Sequence, residues 1–219
     1  MKNHNKYFFF IFLLCLPGFS FGHSMAYDFS KMSTTDVFWE YFKLGVTHIV
    51  PLGYDHILFV IGLFLLNPKI KSVLKQITAF TIAHSITLAL AMTGKIHPSS
   101  SIIEPFIALS IVFVGIENLV TTEIRWWRLV VVFLFGLVHG CGFAGVLSEI
   151  GLPENTFVPA LISFNLGVEI GQTIVILASI LIFQSWKSRE PWYRNRITIP
   201  VSAAISALAF YWTIERILA

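Results

Sequence analysis

The stretch that decides the fold is VTHIVPLGYDHILFVIGLFLL, residues 46–66. It is long and apolar enough to cross a bilayer, whose hydrocarbon core takes about 20 residues of helix. Pro51 removes a backbone hydrogen bond and Gly53 loosens the chain, so we expect a kink or a broken helix there. His48, Asp55 and His56 are ionisable groups that lipid rejects, and such groups usually face a bundle interior. This stretch therefore predicts a membrane span that carries a polar site beside a break.

The composition excludes most soluble classes of protein. Hydrophobic residues make up 56% of the chain and charged residues 12%, and the mean hydropathy is +0.76. Soluble domains carry roughly 25% charged residues. A soluble globular enzyme, a disordered chain and a nucleic-acid-binding protein are therefore poor fits. The 21 Phe and 6 Trp residues suit a chain whose solvent is lipid.

We predict an all-α, polytopic membrane helix bundle with six transmembrane helices after a cleavable signal peptide. Residues 1–22 combine an N-terminal Lys pair with an apolar run that ends in Ser20-Phe21-Gly22, which is typical of a signal peptide. Residues 23–45 are predicted as an extracytoplasmic segment, partly an interfacial amphipathic helix. Residues 46–219 form the six-helix domain, with spans predicted at 46–66, 76–93, 102–120, 127–148, 158–184 and 197–217.

The distribution of Lys and Arg predicts the orientation. These residues are concentrated in alternate loops, above all between the first and second spans and between the fifth and sixth. By the positive-inside rule those loops face the cytoplasm. The predicted location is the bacterial inner membrane, with the N- and C-termini of the mature chain outside.

Histidines and carboxylates recur inside the spans, where no Lys or Arg lies in a span interior. Counting ~1.5 Å per helical residue places the central set near the midplane, on four different helices. Their counter-charge must then be a proton or a metal cation, and imidazole with carboxylate suits Ni²⁺, Zn²⁺, Co²⁺ or Fe²⁺. We predict as metal ligands Asp55, His56, His84, His139 and Glu169. Small-xxx-small glycine motifs around His139 and Glu169 predict close helix packing that brings these two together.

Other polar residues are candidates for an entry path or for support of the ligands, namely His48, Glu104, Ser85, Asn165 and Gln172. His48 lies nearer the outer mouth as an entry ligand, and Glu104 is either a mouth ligand or interfacial. The remaining three either support the site or bond across helices. Glu117, near the inner end of its span, is interpreted as a structural partner of Arg125 or Arg128.

Four ordered motifs resemble the HupE/UreJ family over roughly residues 40–185. They are Gly53-Tyr-Asp-His-Ile-Leu-Phe59, Phe80-Thr-Ile-Ala-His-Ser-Ile-Thr-Leu88, Gly136-Leu-Val-His-Gly-Cys-Gly-Phe-Ala144 and Phe164-Asn-Leu-Gly-Val-Glu-Ile-Gly-Gln172. That family is associated with hydrogenase and urease gene clusters, and its members are regarded as nickel permeases. The resemblance implies six or seven helices including a signal sequence. It favours Ni²⁺ over Zn²⁺ and makes metalloenzyme maturation proteins candidate partners.

The resemblance carries the family's nickel motifs over to His48, Asp55, His56 and His139. In the best-studied branch five residues separate the first His from Asp-His, whereas six lie between His48 and Asp55. The branch's Phe-His-Gly reads Val138-His139-Gly140 here. The chain is therefore similar to a divergent branch of the family.

The predicted function is a permease, or metal-binding membrane protein, for a divalent transition metal, with nickel favoured. The chain has no Walker sequence, so transport would be facilitated diffusion or coupled to protons. The alternative is an intramembrane zinc-dependent hydrolase with the same residues as metal site, and with Glu169 as general base or Ser85 as an assisting group. A haem-binding or assembly protein is a third possibility. Enzymatic activity stays open, with a transporter favoured; lipid and a metal ion are the predicted partners, and nucleic acid is not.

Overall fold

In a computed structural model, the protein is an all-helical bundle. The structure describes residues 32–150, 156–183 and 187–219, except the side chains of residues 146 and 148–150. The predicted signal peptide and the first residues of the predicted extracytoplasmic segment lie outside the described residues. Every long regular element of the described residues is a helix, which confirms the predicted all-α fold. The helices are α1 (Thr34–Ile49), α2 (Tyr54–Leu66), α3 (Ile70–Met92), α4 (Ser100–Val120), α5 (Trp127–Ile150), α6 (Phe157–Ile182) and α7 (Ile199–Leu218), the last continuing a π-helical turn over Arg194–Thr198.

The outer surface of the bundle is apolar. Five helices of the described chain are long and apolar enough to cross a membrane, or six if α1 and α2 together form one bent span. Large exposed apolar side chains recur every three or four residues along α4, at Ile102, Phe106, Leu109, Phe113 and Ile116. Such stripes suit lipid contact, because the hydrocarbon accepts apolar side chains and leaves polar ones to the interior. The predicted membrane bundle is confirmed, and its predicted spans agree with α3 to α7 to within a few residues.

The first predicted span is broken, as Pro51 and Gly53 indicated. α1 and α2 are bent by 67°. The Gly53 N–H donates to the Ile49 carbonyl at 3.1 Å, which folds the chain back onto the last turn of α1. A Cβ on Gly53 would overlap the carbonyl oxygen of His48, so only glycine permits this approach. With 13 residues, α2 is about 20 Å long and cannot cross a bilayer alone.

Helix α1 extends the bundle beyond the predicted first span. It begins with a capping box between Ser33 and Asp36 and runs across residue 45, where we predicted the extracytoplasmic segment to end. Its buried stripe consists of Val37, Tyr41, Gly45 and Ile49. The four-residue spacing of this stripe puts all four on one face, which packs along α6.

Helix α2 lies at the centre of the bundle. It contacts α1, α3, α4, α6 and α7. Most of its residues are buried, namely His56, Leu58, Phe59, Val60, Gly62, Leu63, Phe64, Leu65 and Leu66. A helix that is apolar on all sides belongs in an interior. The break before α2 therefore places the polar first turn of a buried helix inside the bundle.

Close helix pairs surround α2, and glycines form their contacts. The main pairs are α1 with α6, α3 with α5, and α4 with α7. A Cβ at Gly45 would overlap the carbonyl oxygen of Phe164, and one at Gly140 would overlap that of His84. The glycines around His139 thus receive the backbone of α3, while Gly167 receives that of α1. The expectation that the two motifs bring His139 and Glu169 together is wrong, because each motif packs against a different helix.

A buried ion pair ties α3, α4 and α5 at one end of the bundle. Arg128 is 1% exposed and its Nη1 lies 2.6 Å from Glu117 Oε2. Its Nε donates to Gln76 Oε1 at 2.8 Å. The interpretation of Glu117 as a structural partner of an arginine is confirmed. The pair also places the guanidinium of Arg128 inside the bundle, whereas the sequence predicted no Lys or Arg in a span interior.

The contact between α1 and α6 predicts the effect of Gly45→Ala. Alanine normally stabilises a helix by about 0.5–1 kcal/mol relative to glycine. Here its Cβ meets backbone that cannot yield, so we expect a net loss of about 1–3 kcal/mol and a lower melting temperature in detergent.

The matched control is Gly145→Ala, whose Cβ would have no neighbour within 4 Å among the described residues. Its melting temperature should equal or exceed that of the wild type. Equal melting temperatures for the two variants would mean that the crossing is looser than the structure shows.

Candidate metal centre

Three histidines from three helices meet beside the break. They are His48 at the end of α1, His56 in the first turn of α2 and His84 in α3, and we call them the histidine cluster. One ring nitrogen from each lies within 4.8 Å of the others. The ring centroids of His48 and His56 are 4.7 Å apart, and that of His84 is 6.0 Å from both. The fold-back at Gly53 produces this meeting, because it returns α2 across the last turn of α1.

Four of the six ring nitrogens of the histidine cluster are buried without a hydrogen-bond partner among the described residues. His56 is 6% exposed and His84 is fully buried, while His48 is half-buried. Among the described residues no hydrogen bond of good geometry reaches Nε2 of His48, Nε2 of His56 or either ring nitrogen of His84, although the Asn165 side chain lies close to the His84 ring. Buried polar atoms normally have partners, and exceptions need an explanation such as a bound ion. Neutral imidazole nitrogens with free lone pairs are ligands for transition metals.

His139 of α5 joins the histidine cluster as a fourth imidazole. Its ring centroid lies 5.0 Å from that of His56, and the residue is 1% exposed. Its Nε2 lies 2.9 Å from Ser110 Oγ of α4, whereas its Nδ1 is buried without a partner among the described residues. The structure therefore brings together three of the predicted ligands and entry residue His48.

Three phenylalanines lie one helical turn beyond the histidines. They are Phe59, Phe80 and Phe135, which we call the phenylalanine layer; each follows or precedes a histidine of its own helix by three or four residues. Phe59 lies 5.1 Å from Phe80 and 6.1 Å from Phe135, measured between ring centroids. Because α3 and α5 begin at the end where α2 finishes, all three rings lie on the same side of the cluster. That side of the cluster is lined by aromatic carbon.

Asp55 lies beside the histidines in sequence but has a cationic partner. Arg216 Nη2, in the last turn of α7, is 3.0 Å from Asp55 Oδ2. Arg216 also donates to the backbone carbonyl of Glu104 at 3.2 Å, and the Glu104 side chain is exposed. The expectation that Asp55 lacks a nearby cation is wrong. The prediction estimated the depth of Asp55 by counting residues along one continuous span. In the structure a new helix begins at Tyr54, so Asp55 lies in its first turn, and this turn is next to the end of α7.

Glu169 lies outside the histidine cluster, in a polar seam between α3 and α6. Its carboxylate accepts a hydrogen bond from Thr78 at 2.6 Å. Gln172 on the same face accepts from Thr81 at 3.0 Å, so it bonds across helices, one of the two roles we considered. These bonds fasten α3 to α6. A ligand role for Glu169 or Asp55 stays a prediction.

The remaining candidates bond within their own helices. Ser85 donates to the Thr81 carbonyl at 2.6 Å, and Asn165 donates to the Leu161 carbonyl at 2.8 Å. Asn165 Oδ1 is buried without a partner among the described residues. Among the described residues, neither side chain makes a hydrogen bond to Glu169.

Sequence reasoning missed Ser110 and the phenylalanine layer. Ser110 carries no motif, and only the packing of α4 against α5 shows that it faces His139. The layer had a readable signal: Phe and His recur one turn apart at 56/59, 80/84 and 135/139. Three such pairs on helices that converge predict a ring of aromatics next to a ring of imidazoles.

Comparison with known families agrees with this site. The model of the family described as HupE / UreJ protein matches residues 23–216, nearly the whole chain. The chain belongs to the HupE/UreJ family. No curated protein and no solved structure matches it significantly. The HupE/UreJ family is associated with nickel and metal transport, and the matched region contains His139 and the three residues of the histidine cluster.

The histidine cluster predicts which substitution removes metal binding. We expect His84→Ala to weaken Ni²⁺ or Co²⁺ binding to the purified protein by more than about 100-fold, since even the outer partners of metal ligands are worth 10–100-fold. Isothermal titration calorimetry in detergent measures this. His97→Ala, which changes an exposed histidine on a loop, should bind like the wild type. Comparable losses in both variants would show that binding is not at the cluster.

Proposed function

We propose that this HupE/UreJ protein is a permease for a divalent transition metal, with nickel as the favoured cargo. The observation that carries the proposal is the meeting of buried, unpartnered imidazole nitrogens from three helices inside a membrane bundle. A lipid environment makes unpaired polar groups costly, so they are kept where a cargo pairs with them. Nitrogen ligands favour Ni²⁺, Zn²⁺ and Co²⁺ over Mg²⁺ and Ca²⁺, which prefer oxygen.

The distances within the cluster support a site that tightens around an ion. Two nitrogens bound to one metal at about 2.1 Å each lie at most about 4.2 Å apart. The cluster's nitrogens lie within 4.8 Å of one another, so small side-chain rotations complete the coordination. His48 stands on the far side of the break from His56, and small movements of α1 against α2 would open and close the site.

Asp55 and Arg216 suit the entrance of this permease. Asp55 precedes His56, and its Oδ1 is buried without a partner among the described residues. When an approaching cation displaces Arg216, the freed carboxylate can hand the ion to the cluster. Glu104, exposed next to Arg216, adds negative charge at the same mouth. This assigns the carboxylates to entry and the imidazoles to binding.

The phenylalanine layer suits a closed gate on the opposite side. A hydrated cation cannot cross a tight ring of aromatic carbon, and hydrophobic constrictions gate channels in this way. The break between α1 and α2 supplies the movable element, as discontinuous helices do in other transporters. The chain has no nucleotide motif, so the metal gradient or a proton gradient drives transport.

The proposed setting is the bacterial cytoplasmic membrane. The N-terminal signal-peptide pattern and the Lys and Arg of alternate loops support an orientation with both mature termini outside. The phenylalanine layer then lies toward the cytoplasm and the Asp55–Arg216 pair toward the outside. Maturation proteins of nickel enzymes are the candidate recipients of the ion.

Uptake of radioactive nickel into vesicles tests the proposal. Purified protein in vesicles should carry Ni²⁺, and His56→Ala and His139→Ala should abolish uptake while His97→Ala leaves it unchanged. Folding is checked by the melting temperature of each variant. Tightly held zinc with no flux of any metal would reject the permease and favour the intramembrane hydrolase.

The phenylalanine layer gives a second test. Phe80→Leu keeps most of the ring's volume but removes its aromatic surface, and Phe80→Ala opens a hole at the cost of about 3–5 kcal/mol of stability. We expect both to raise metal flux several-fold with binding affinity retained, because the barrier beyond the cluster is lowered. Phe106→Ala, at a phenylalanine that is 55% exposed on the lipid face, is the matched control. Unchanged flux in both Phe80 variants would mean that the layer is not the barrier.

A further inference from the structure

Ser110 and His139 form a hydrogen bond whose direction can be determined. Ser110 Oγ lies 2.7 Å from the Ile107 carbonyl oxygen of its own helix and 2.9 Å from His139 Nε2. Both Ser110 and His139 are 1% exposed. The Ser110 hydroxyl therefore lies between these two partners and is shielded from solvent.

The serine hydroxyl has one proton, and the carbonyl must receive it. A hydroxyl is one donor and two acceptor lone pairs, whereas a carbonyl oxygen only accepts. Two oxygens 2.7 Å apart without a proton between them repel each other, so Ser110 donates to Ile107. The lone pair of Ser110 then faces His139, and the only attractive arrangement has the Nε2–H of His139 donating to it.

This direction determines the tautomer of His139. A neutral imidazole carries one N–H, so a proton on Nε2 leaves the lone pair on Nδ1. His139 Nδ1 is the buried ring nitrogen without a partner among the described residues. The atom that is free to bind an ion is therefore Nδ1, in a ring whose centroid lies 5.0 Å from that of His56.

We propose that Ser110 is a positioning residue that holds His139 as an Nδ1 ligand for the divalent cation of the histidine cluster. The inference rests on the proposed metal site and deepens it. Metal-bound histidines generally donate their second N–H to an oxygen, which sets the tautomer and the ring orientation. Ser110 supplies that oxygen from α4, a helix that contributes no histidine to the cluster. His139, beside His56, would add a fourth nitrogen to the three that lie within 4.8 Å of one another, and nitrogen ligands discriminate against Mg²⁺ and Ca²⁺.

Nitrogen-15 NMR of histidine-labelled protein in detergent reads the tautomer directly. The His139 signals are assigned by their loss in His139→Gln. In the metal-free wild type we expect a protonated Nε2 and a bare Nδ1. A protonated Nδ1 in the wild type would overturn the inference, whether or not the protein binds metal.

Ser110→Ala should remove the restraint, so that His139 shows both tautomers. We expect the affinity for Co²⁺ to fall by about 10–100-fold, the usual effect of losing such a partner. Ser110→Thr keeps the hydroxyl and should restore both the tautomer and the affinity. Ser163→Ala is the matched control, because Ser163 is fully buried and donates to the Ala160 carbonyl of its own helix, and among the described residues it makes no hydrogen bond to a histidine.

The outcomes separate this inference from the proposed function. If the wild type binds Co²⁺ and Ser110→Ala keeps both the single His139 tautomer and the Co²⁺ affinity, the role of Ser110 is rejected. The proposed permease function is unaffected by that result. A wild type with the expected tautomer but no metal binding would reject the proposed function, and with it the ligand role of His139. If Ser110→Ala fails to fold, the wild-type spectrum and Ser110→Thr still decide.

Discussion

Lipid offers no hydrogen bonds, so each polar group inside this bundle needs a partner in the chain. The acidic side chains have partners: Arg128 for Glu117, Arg216 for Asp55 and Thr78 for Glu169. Four of the six ring nitrogens of the histidine cluster have none among the described residues, and neither do the second oxygens of Asp55 and Glu117. The paired carboxylates thus help to hold the bundle together, whereas the free nitrogens of the cluster are candidate ligands for an ion.

Two local features of the backbone bring those histidines together. The fold-back at Gly53 sets His56 against His48, and the glycines of α5 let that helix reach the backbone of α3 beside His84. Both features depend on the absence of a Cβ, which lets helices approach to backbone contact. The histidine cluster therefore lies at the closest helix contacts, where side chains have little room to move, and beside the break between α1 and α2.

Depth along a helix could be predicted, whereas direction around it could not. Counting residues placed His56, His84 and His139 at a common level, and they do meet, because straight helices rise uniformly. The same counting put Glu169 at that level, yet its side chain points to Thr78 across the α3–α6 seam. It failed for Asp55 because the helix begins only at Tyr54, and for Arg216 because α7 returns beside that first turn. His48, which depth counting placed nearer the outer mouth, lies within the cluster because the break turns it inward.

The sequence by itself determined that the chain lies in lipid, the class of fold, the break at Pro51 and Gly53 and the residue types of the candidate site. These follow from apolar length, periodicity and the backbone chemistry of proline and glycine, which are local properties. Only the tertiary structure decided which polar residues are paired and which have no partner, that Ser110 faces His139, and that three phenylalanines lie together on one side of the cluster. These depend on the relative rotation and crossing of helices far apart in the chain, which the chain's local pattern does not specify.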